Sequence, residues 1–327
     1  MQPLKTGLIG LGRLGSVHLE HLQQSPYFEL IGCYDSNPAQ MERISEDYQV
    51  KCFKSAEELL DAVDVIDIVT PAKTHYYYAE KAIRRSKHVF IEKPMTEDLV
   101  EAEQIVALAR EANVKVQIGH IERFNPVMRA LKSLRPEPLF IEAHRLAPFD
   151  PRGTDVSVVL DLMIHDIDLV LSMVKANIKN ISANGVAVIS KEPDIANVRI
   201  EFDNGCVANL TASRISIQKM RKLRFFQKDA YLSLDFLKRE AEYITLEDEQ
   251  GPNGILLEHD GLSRFVHVRQ LEITETDALR EELESFAKSI VHNQSPEVSA
   301  ADGLKALEVA YKVMQKIQRN GHFSDSN

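Results

Sequence analysis

Two short stretches of this chain hold side chains whose types and spacing suit proton and hydride chemistry. The first is Asp161-Leu-Met-Ile-His165-Asp-Ile-Asp168. On an α-helix Asp161 and His165 stand at i and i+4 and Asp168 at i+7, with Ser172 continuing the row, so all four share one face. The rest of residues 158–174 is nearly all apolar, Asp166 excepted, which predicts a buried helix with a single polar stripe. That stripe either lines a cleft or is the solvated edge of an ordinary helix. A carboxylate beside a histidine orients the imidazole and raises its basicity, and a neutral imidazole accepts a proton near neutral pH. The second stretch is Glu92-Lys93-Pro94, which closes the apolar run 88–91. By itself it is either a surface Glu-Lys pair or a fixed turn that aims a cation. Hydride transfer from an alcohol needs a base for the hydroxyl proton and a cation for the developing alkoxide. His165 as general base and Lys93 as alkoxide stabiliser supply both, and the reverse assignment satisfies the same chemistry.

A hydride also needs a carrier. Gly10-Leu-Gly12-Arg13-Leu14-Gly15 has the G-x-G-x-x-G spacing, follows the strand-like run 4–9 and opens a helical pattern from Leu14. About twenty residues beyond Gly15, Asp35 ends the next strand-like run, as the dinucleotide fingerprint requires. Gly10 permits the tight turn, Gly12 lets a pyrophosphate approach the backbone, and Gly15 lets helix and strand pack closely. The helix N-terminus then offers N–H groups to the phosphates. Gly10, Gly12, Arg13, Leu14, Gly15 and Asp35 are therefore candidate cofactor residues. A carboxylate at Asp35 accepts hydrogen bonds from the ribose hydroxyls and repels a 2′-phosphate, which predicts NAD rather than NADP. Ser36 and Asn37 follow it, and Arg43 is the nearest cation downstream.

The elements that must position these residues fall into two groups. Runs 4–9, 28–34, 50–53, 65–69, 88–91 and 114–118 read as strands, separated by helical patterns at 14–24, 38–47, 56–62, 74–85 and 97–111. This alternation predicts a doubly wound parallel sheet, an α/β Rossmann domain over residues 1–123. Beyond it a helical stretch at 125–134 leads to a strand at 139–147 and the polar-striped helix at 158–174. Strand-like runs follow at 178–189, 197–202, 206–213, 222–227, 230–236, 243–246 and 265–271, with a hairpin signal at Asp203-Asn204-Gly205. Two amphipathic helices, 277–292 and 300–319, close the chain. Residues 124–327 thus read as an α+β domain on a large, mostly antiparallel open sheet, for substrate binding and oligomerisation.

Composition narrows the function classes. The chain has 327 residues, 44% hydrophobic and 27% charged, as expected of two globular domains. No run approaches the roughly 18 apolar residues of a membrane span, and the N-terminus lacks the organisation of a secretory signal, which implies a cytoplasmic protein. A net charge of −10 disfavours nucleic acid or an anionic membrane as partner. The three cysteines, Cys33, Cys52 and Cys206, are odd in number and far apart in sequence, as reduced thiols would be. The eleven histidines form no metal-ligand motif, so no metal is expected.

Gly10 to Gly15, Thr70-Pro71 with His75, Glu92-Lys93-Pro94, Arg123-Phe124, and Asp161 with His165 together resemble the Gfo/Idh/MocA family of oxidoreductases, over nearly the whole chain. The resemblance implies that Thr70, Pro71 and His75, with Glu92 and Lys93, line the cofactor. It implies that Lys93 and the Asp161–His165 pair act on the substrate, and that the chain forms a homodimer or homotetramer. Departures from the family pattern are Ala72, Ile121 and Asp155-Val156-Ser157. Residues 119–126 with 160–168 look most like a subgroup that oxidises the 3-hydroxyl of UDP-N-acetylglucosamine to a 3-keto sugar. Free sugars, inositols and other cyclic polyols are the alternative substrates, and a non-catalytic dinucleotide sensor is the alternative from another class. Retention of Lys93, Asp161 and His165 argues against the sensor. For a nucleotide sugar, Glu122, Arg123 and Asn125 are candidates for the sugar hydroxyls, or else cap the next helix. Arg145 and Arg152, or the cluster Arg214, Lys219, Arg221, Lys222 and Arg224, are candidates for a pyrophosphate. The cluster reads equally as a charged, solvated strand edge.

Overall fold

A computed structural model describes residues 2–150, 156–251, 254–259 and 262–320. The chain divides into two compact units. One runs through Phe124 and takes in Asp277–Glu308; the other holds Asn125–Thr276 and the chain from Val309 on. The helix 277–292, which the sequence reading placed in the second domain, therefore belongs to the first unit.

The first unit begins β1 (Leu4–Ile9), α1 (Arg13–Gln24), β2 (Phe28–Tyr34), α2 (Pro38–Tyr48), α3 (Ala56–Ala62) and β3 (Val65–Ile68). It continues through α4 (His75–Ile83), β4 (His88–Glu92), α5 (Leu99–Glu111) and β5 (Val116–Gly119). The five strands are parallel in the order β2-β1-β3-β4-β5. Their carboxyl ends therefore share one edge, and the order reverses between β1 and β3, where open α/β sheets bind ligands. Residues 50–53 do not form the predicted strand; only Cys52 makes a bridge, to Cys33 of β2. Counting that bridge gives the dinucleotide-binding order 3-2-1-4-5-6. β3 and β5 are buried at every position, as a parallel sheet covered on both faces requires.

The second unit holds α6 (Pro126–Ala130), β6 (Phe140–Leu146), α7 (Ile164–Met173), β7 (Ile178–Val186), β8 (Ile195–Phe202) and β9 (Val207–Ser213). After them come β10 (Met220–Gln227), β11 (Ala230–Asp235), β12 (Glu240–Glu247), β13 (Ile255–His259) and β14 (Leu262–Gln270). They make one sheet in the order β13-β14-β12-β11-β10-β6-β9-β8-β7, antiparallel throughout except for β6 with β9. Alternate residues of β6, β8 and β9 are buried, the period of a sheet with one covered face. The helix predicted at 125–134 is shorter, and β13 was not read from sequence.

α8 (Ala278–Val291) closes the first unit, burying Leu279, Leu283, Phe286 and Ala287 against Leu19, Leu22 and Phe90. Each such leucine or phenylalanine contributes about 1.5–3 kcal/mol. α9 (Ala300–Asn320) ends the described chain. No described helix is long and apolar enough to cross a membrane.

Candidate active site

At the switch point of the first sheet the glycine loop adopts the conformation its residues were expected to allow. Gly10 has φ +99°, and a Cβ there would lie 2.5 Å from the Val69 carbonyl oxygen. At Gly15 a Cβ would meet the Gly10 carbonyl oxygen at 2.0 Å, so α1 rests directly on the loop. Gly12 is the converse: a Cβ would find nothing within 4 Å. Side chains cap α2 (Asn37), α3 (Ser55), α5 (Asp98) and α8 (Asp277), whereas α1 begins at Gly12 with no side-chain cap. A helix start with no side-chain cap, beside a residue without a side chain, fits a pyrophosphate. Arg13 and Leu14 are exposed on the same turn.

Asp35, just past β2, is tied to this loop. Its Oδ2 accepts the Leu11 N–H at 2.7 Å and its Oδ1 accepts the Asn37 N–H at 2.8 Å. Arg43 also reaches the loop, donating to the Leu11 carbonyl at 3.3 Å and to Ser16 Oγ at 3.4 Å. A carboxylate and a guanidinium therefore flank the loop, a proximity that the sequence separation conceals.

Past β3, Thr74 Oγ1 donates to the Pro71 carbonyl at 2.8 Å and can accept from Thr70 Oγ1, also at 2.8 Å, which shapes the Thr70-Pro71 turn. His75 is buried beneath it. Its Nε2 lies 2.7 Å from the Thr70 carbonyl oxygen and its Nδ1 lies 2.9 Å from the Pro94 carbonyl oxygen. His75 thereby joins the turn after β3 to the turn after β4. Burial pushes its imidazole down, while the two carbonyls and Glu92 act the other way. In the turn after β4, Glu92 Oε2 accepts the Lys93 N–H at 3.0 Å. Lys93 is half-buried, and the Lys93-Pro94 peptide is cis.

The sequence reading missed what lies under this turn. His18, on the buried face of α1, stands between Asp67 in the middle of β3 and Glu92 at the end of β4. Its Nδ1 is 2.8 Å from Asp67 Oδ2, and its Nε2 is 3.2 Å from Glu92 Oε1, an ion-pair contact rather than a linear hydrogen bond. All three are buried, His18 completely. The signal was an acid inside the apolar run 65–69, with a histidine in the Gly15, Leu19, Leu22 row. Cys33 and Cys52 also meet, as thiols with Sγ atoms 3.3 Å apart.

Beyond β5, Glu122 is buried, and Arg123 reaches the Glu297 carbonyl oxygen at 3.3 Å and Asp302 at 3.8 Å. In the second unit Asn125 caps α6, its Oδ1 accepting the Val127 N–H at 3.1 Å ahead of Pro126.

Asp161 lies in a π-helical turn, Val159–Met163, and His165 in the first turn of α7 that follows. π-turns concentrate at functional sites and alter which side chains align. The expected polar stripe is thereby shortened: Asp161 and His165 are half-buried, Asp168 is buried, and Ser172 Oγ donates to the Leu169 carbonyl at 2.6 Å. Asp166 is buried too, in a two-pronged pair with Arg145 at 2.8 and 2.9 Å.

That pair corrects one expectation, because Arg145 is committed to the interior and not to a pyrophosphate. Arg214 is likewise buried, bonding Asp194 Oδ1 at 2.9 Å and the carbonyls of Val156 and Pro193. Burial alone would raise Asp194, but the N–H groups of Val188, Ile189 and Ser190 outweigh it and hold the carboxyl well below its usual range. In the rest of the basic cluster, Lys222 pairs with Asp235 and Arg224 with Glu142. Their strand, β10, lies inside the sheet and not at its edge. Arg152 and Asp155 lie outside the described residues.

A family model for "Oxidoreductase family, NAD-binding Rossmann fold" matches residues 4–120, and one for the Gfo/Idh/MocA C-terminal domain matches residues 137–231. UDP-N-acetylglucosamine 3-dehydrogenase from Acidithiobacillus ferrooxidans is 33% identical over 96% of this chain and 97% of its own. Its solved structure superposes with a TM-score of 0.87, covering 98% of this chain and 99% of that one. Myo-inositol 2-dehydrogenase from Thermotoga maritima is 25% identical over 96% of each.

Proposed function

The chain belongs to the Gfo/Idh/MocA family of oxidoreductases, and on that premise we propose that it uses NAD to oxidise the 3-hydroxyl of UDP-N-acetylglucosamine or a related nucleotide sugar. One observation carries the substrate class: the similarity to the Acidithiobacillus enzyme runs the full length of both chains and exceeds that to the inositol dehydrogenase. The cofactor assignment is supported by the open backbone at Gly12, the uncapped start of α1, and the Asp35 carboxylate fixed on the same loop. NAD, when bound, supplies the hydride acceptor.

The chain's own residues do the rest. Gly10, Gly12, Arg13, Leu14 and Gly15 receive the pyrophosphate, and Asp35 takes the ribose hydroxyls. Thr70, Pro71, His75 and Glu92 set the walls beyond β3 and β4. Lys93 stabilises the developing alkoxide, and His165, oriented by Asp161, takes the hydroxyl proton. Glu122, Arg123 and Arg152 serve the sugar and its phosphates, while Asn125 caps α6. Exposed Ile255, Leu256, Leu257 and Val268 at the β13–β14 edge support assembly into a homodimer or homotetramer.

The test is NAD reduction measured across UDP-N-acetylglucosamine, free hexoses and inositols. Turnover with the nucleotide sugar is expected to exceed the others. Turnover confined to free polyols assigns the inositol-type activity instead, and cofactor binding without turnover on any of them favours a sensor.

A further inference from the structure

We propose that His18, fully buried beneath the turn, is a positioning residue for Lys93 and acts through the carboxylate of Glu92. The inference rests on the reading of Lys93 as the cation at the reacting hydroxyl. The chain of contacts is short. Asp67 holds one ring nitrogen of His18 at 2.8 Å, and the other nitrogen faces Glu92 Oε1 at 3.2 Å. The second oxygen of Glu92 accepts the backbone N–H of Lys93 at 3.0 Å. One carboxylate is thus gripped from the core on one side and grips the turn on the other.

The carboxylate has little room to settle elsewhere. It lies across the Cα of Gly119 at the end of β5, where a Cβ would come within 2.9 Å of its carboxyl carbon. The far end of the turn is held separately, by His75 on the Pro94 carbonyl. Glu92 holds the near end, through the Lys93 N–H. His18 cannot shift to follow a wandering carboxylate, because it is fully buried and its ring packs edge-on against Phe90, with centroids 5.8 Å apart.

Stability is a poor reason for such a cluster. Apolar residues of the same size often fill buried space as well as or better than ion pairs, and Ile66 and Phe90 are fully buried in the same strands. Burial opposes a charged His18 and raises Asp67, but Asp67 and then Glu92 push the imidazole up to about 10, and His18 holds Glu92 below its usual range. A ring held by Asp67 on one side and facing Glu92 on the other defines where Glu92 points, and an apolar substitute would not.

The experiment compares His18→Asn, His18→Gln and Lys93→Met, alone and combined, in steady-state NAD reduction with UDP-N-acetylglucosamine and in NADH binding followed by fluorescence. Asparagine places an amide where Nδ1 sits and keeps the Asp67 contact; glutamine reaches toward Glu92. His18→Asn is expected to lower kcat about ten- to a hundredfold, with KM and NADH affinity little changed. His18→Gln should recover most of that loss. In the Lys93→Met background His18→Asn should cost nothing further, because residues that act as a unit are not additive. Equal kcat in His18→Asn and wild type, with Lys93→Met impaired, overturns the proposal alone. Full activity of Lys93→Met overturns the reading of Lys93 on which it rests. Should His18→Asn fail to fold, the isosteric Glu92→Gln breaks the same contact from the other side; unchanged kcat there also overturns the proposal.

Discussion

The Asp35 carboxylate accepts the backbone N–H of Leu11 at 2.7 Å, so the end of β2 and the glycine loop hold each other in place. Two consequences follow from one contact. The loop is braced by the acid, and the acid is fixed beside the loop, where under the proposed function it discriminates between ribose and ribose phosphate. Asp35→Ser should weaken NAD binding about tenfold and narrow or reverse the preference over NADP, because the Asp35 carboxylate then no longer competes with Arg43, which reaches the loop from α2. Fluorescence titration of both reduced cofactors against wild type and variant measures it. Tighter NADP than NAD binding by the wild-type protein would contradict the role of Asp35.

Gly12 and Gly15 separate cofactor binding from folding. Gly12→Val places its side chain in open space, so the thermal midpoint should hold while NAD affinity collapses. Gly15→Ala drives a methyl to 2.0 Å from the Gly10 carbonyl oxygen and should lower the midpoint as well. Thermal unfolding with and without NAD distinguishes the two.

In the second unit, charge near the proposed base divides into structural and chemical parts. Asp166→Asn removes the two-pronged carboxylate from the buried Arg145 and should destabilise the protein by about 3–5 kcal/mol. Asp161→Asn, half-buried in the π-turn, should leave stability nearly unchanged and lower kcat. Urea unfolding beside steady-state kinetics tests the division, and the reverse pattern would place the chemistry on Asp166.

The buried His18 also gives stability a pH dependence of known sign. Its imidazole is pushed from the ordinary 6.5 up to about 10, so between those values the folded chain holds a proton that the unfolded chain releases. The contribution is complete below pH 6.5 and is lost as pH rises toward 10; it amounts to at most a few kcal/mol. Unfolding free energies of wild type and His18→Gln should therefore differ most near neutrality and converge in alkaline buffer. A gap that widened with rising pH would mean that His18 is buried neutral.

The glycine loop, the parallel sheet and Asp35 were legible because each is a local requirement: a positive φ, a close approach, an acid at the end of the next strand. Lys93, Asp161 and His165 were legible as chemistry-bearing types at helix and strand ends. What stayed hidden depends on partners far apart in the chain. Arg145 and Arg214 read as phosphate ligands until Asp166 and Asp194 are seen to consume them. His18 and Asp67 are 49 residues apart and meet only once α1 lies on β3. Residues 50–53 have strand composition but form one bridge, while β13, an unalternating apolar run at the sheet edge, gives no periodic signal. No residue pattern announced the π-turn that carries Asp161.

The most direct measurement of the proposed reaction is isotopic transfer. UDP-N-acetylglucosamine carrying deuterium at carbon 3 is incubated with NAD and the enzyme, and the reduced cofactor is examined by mass spectrometry. Hydride transfer from that carbon predicts NADH that carries the deuterium, together with a 3-keto sugar. NADH formed without the label, or no NADH at all, would contradict the account.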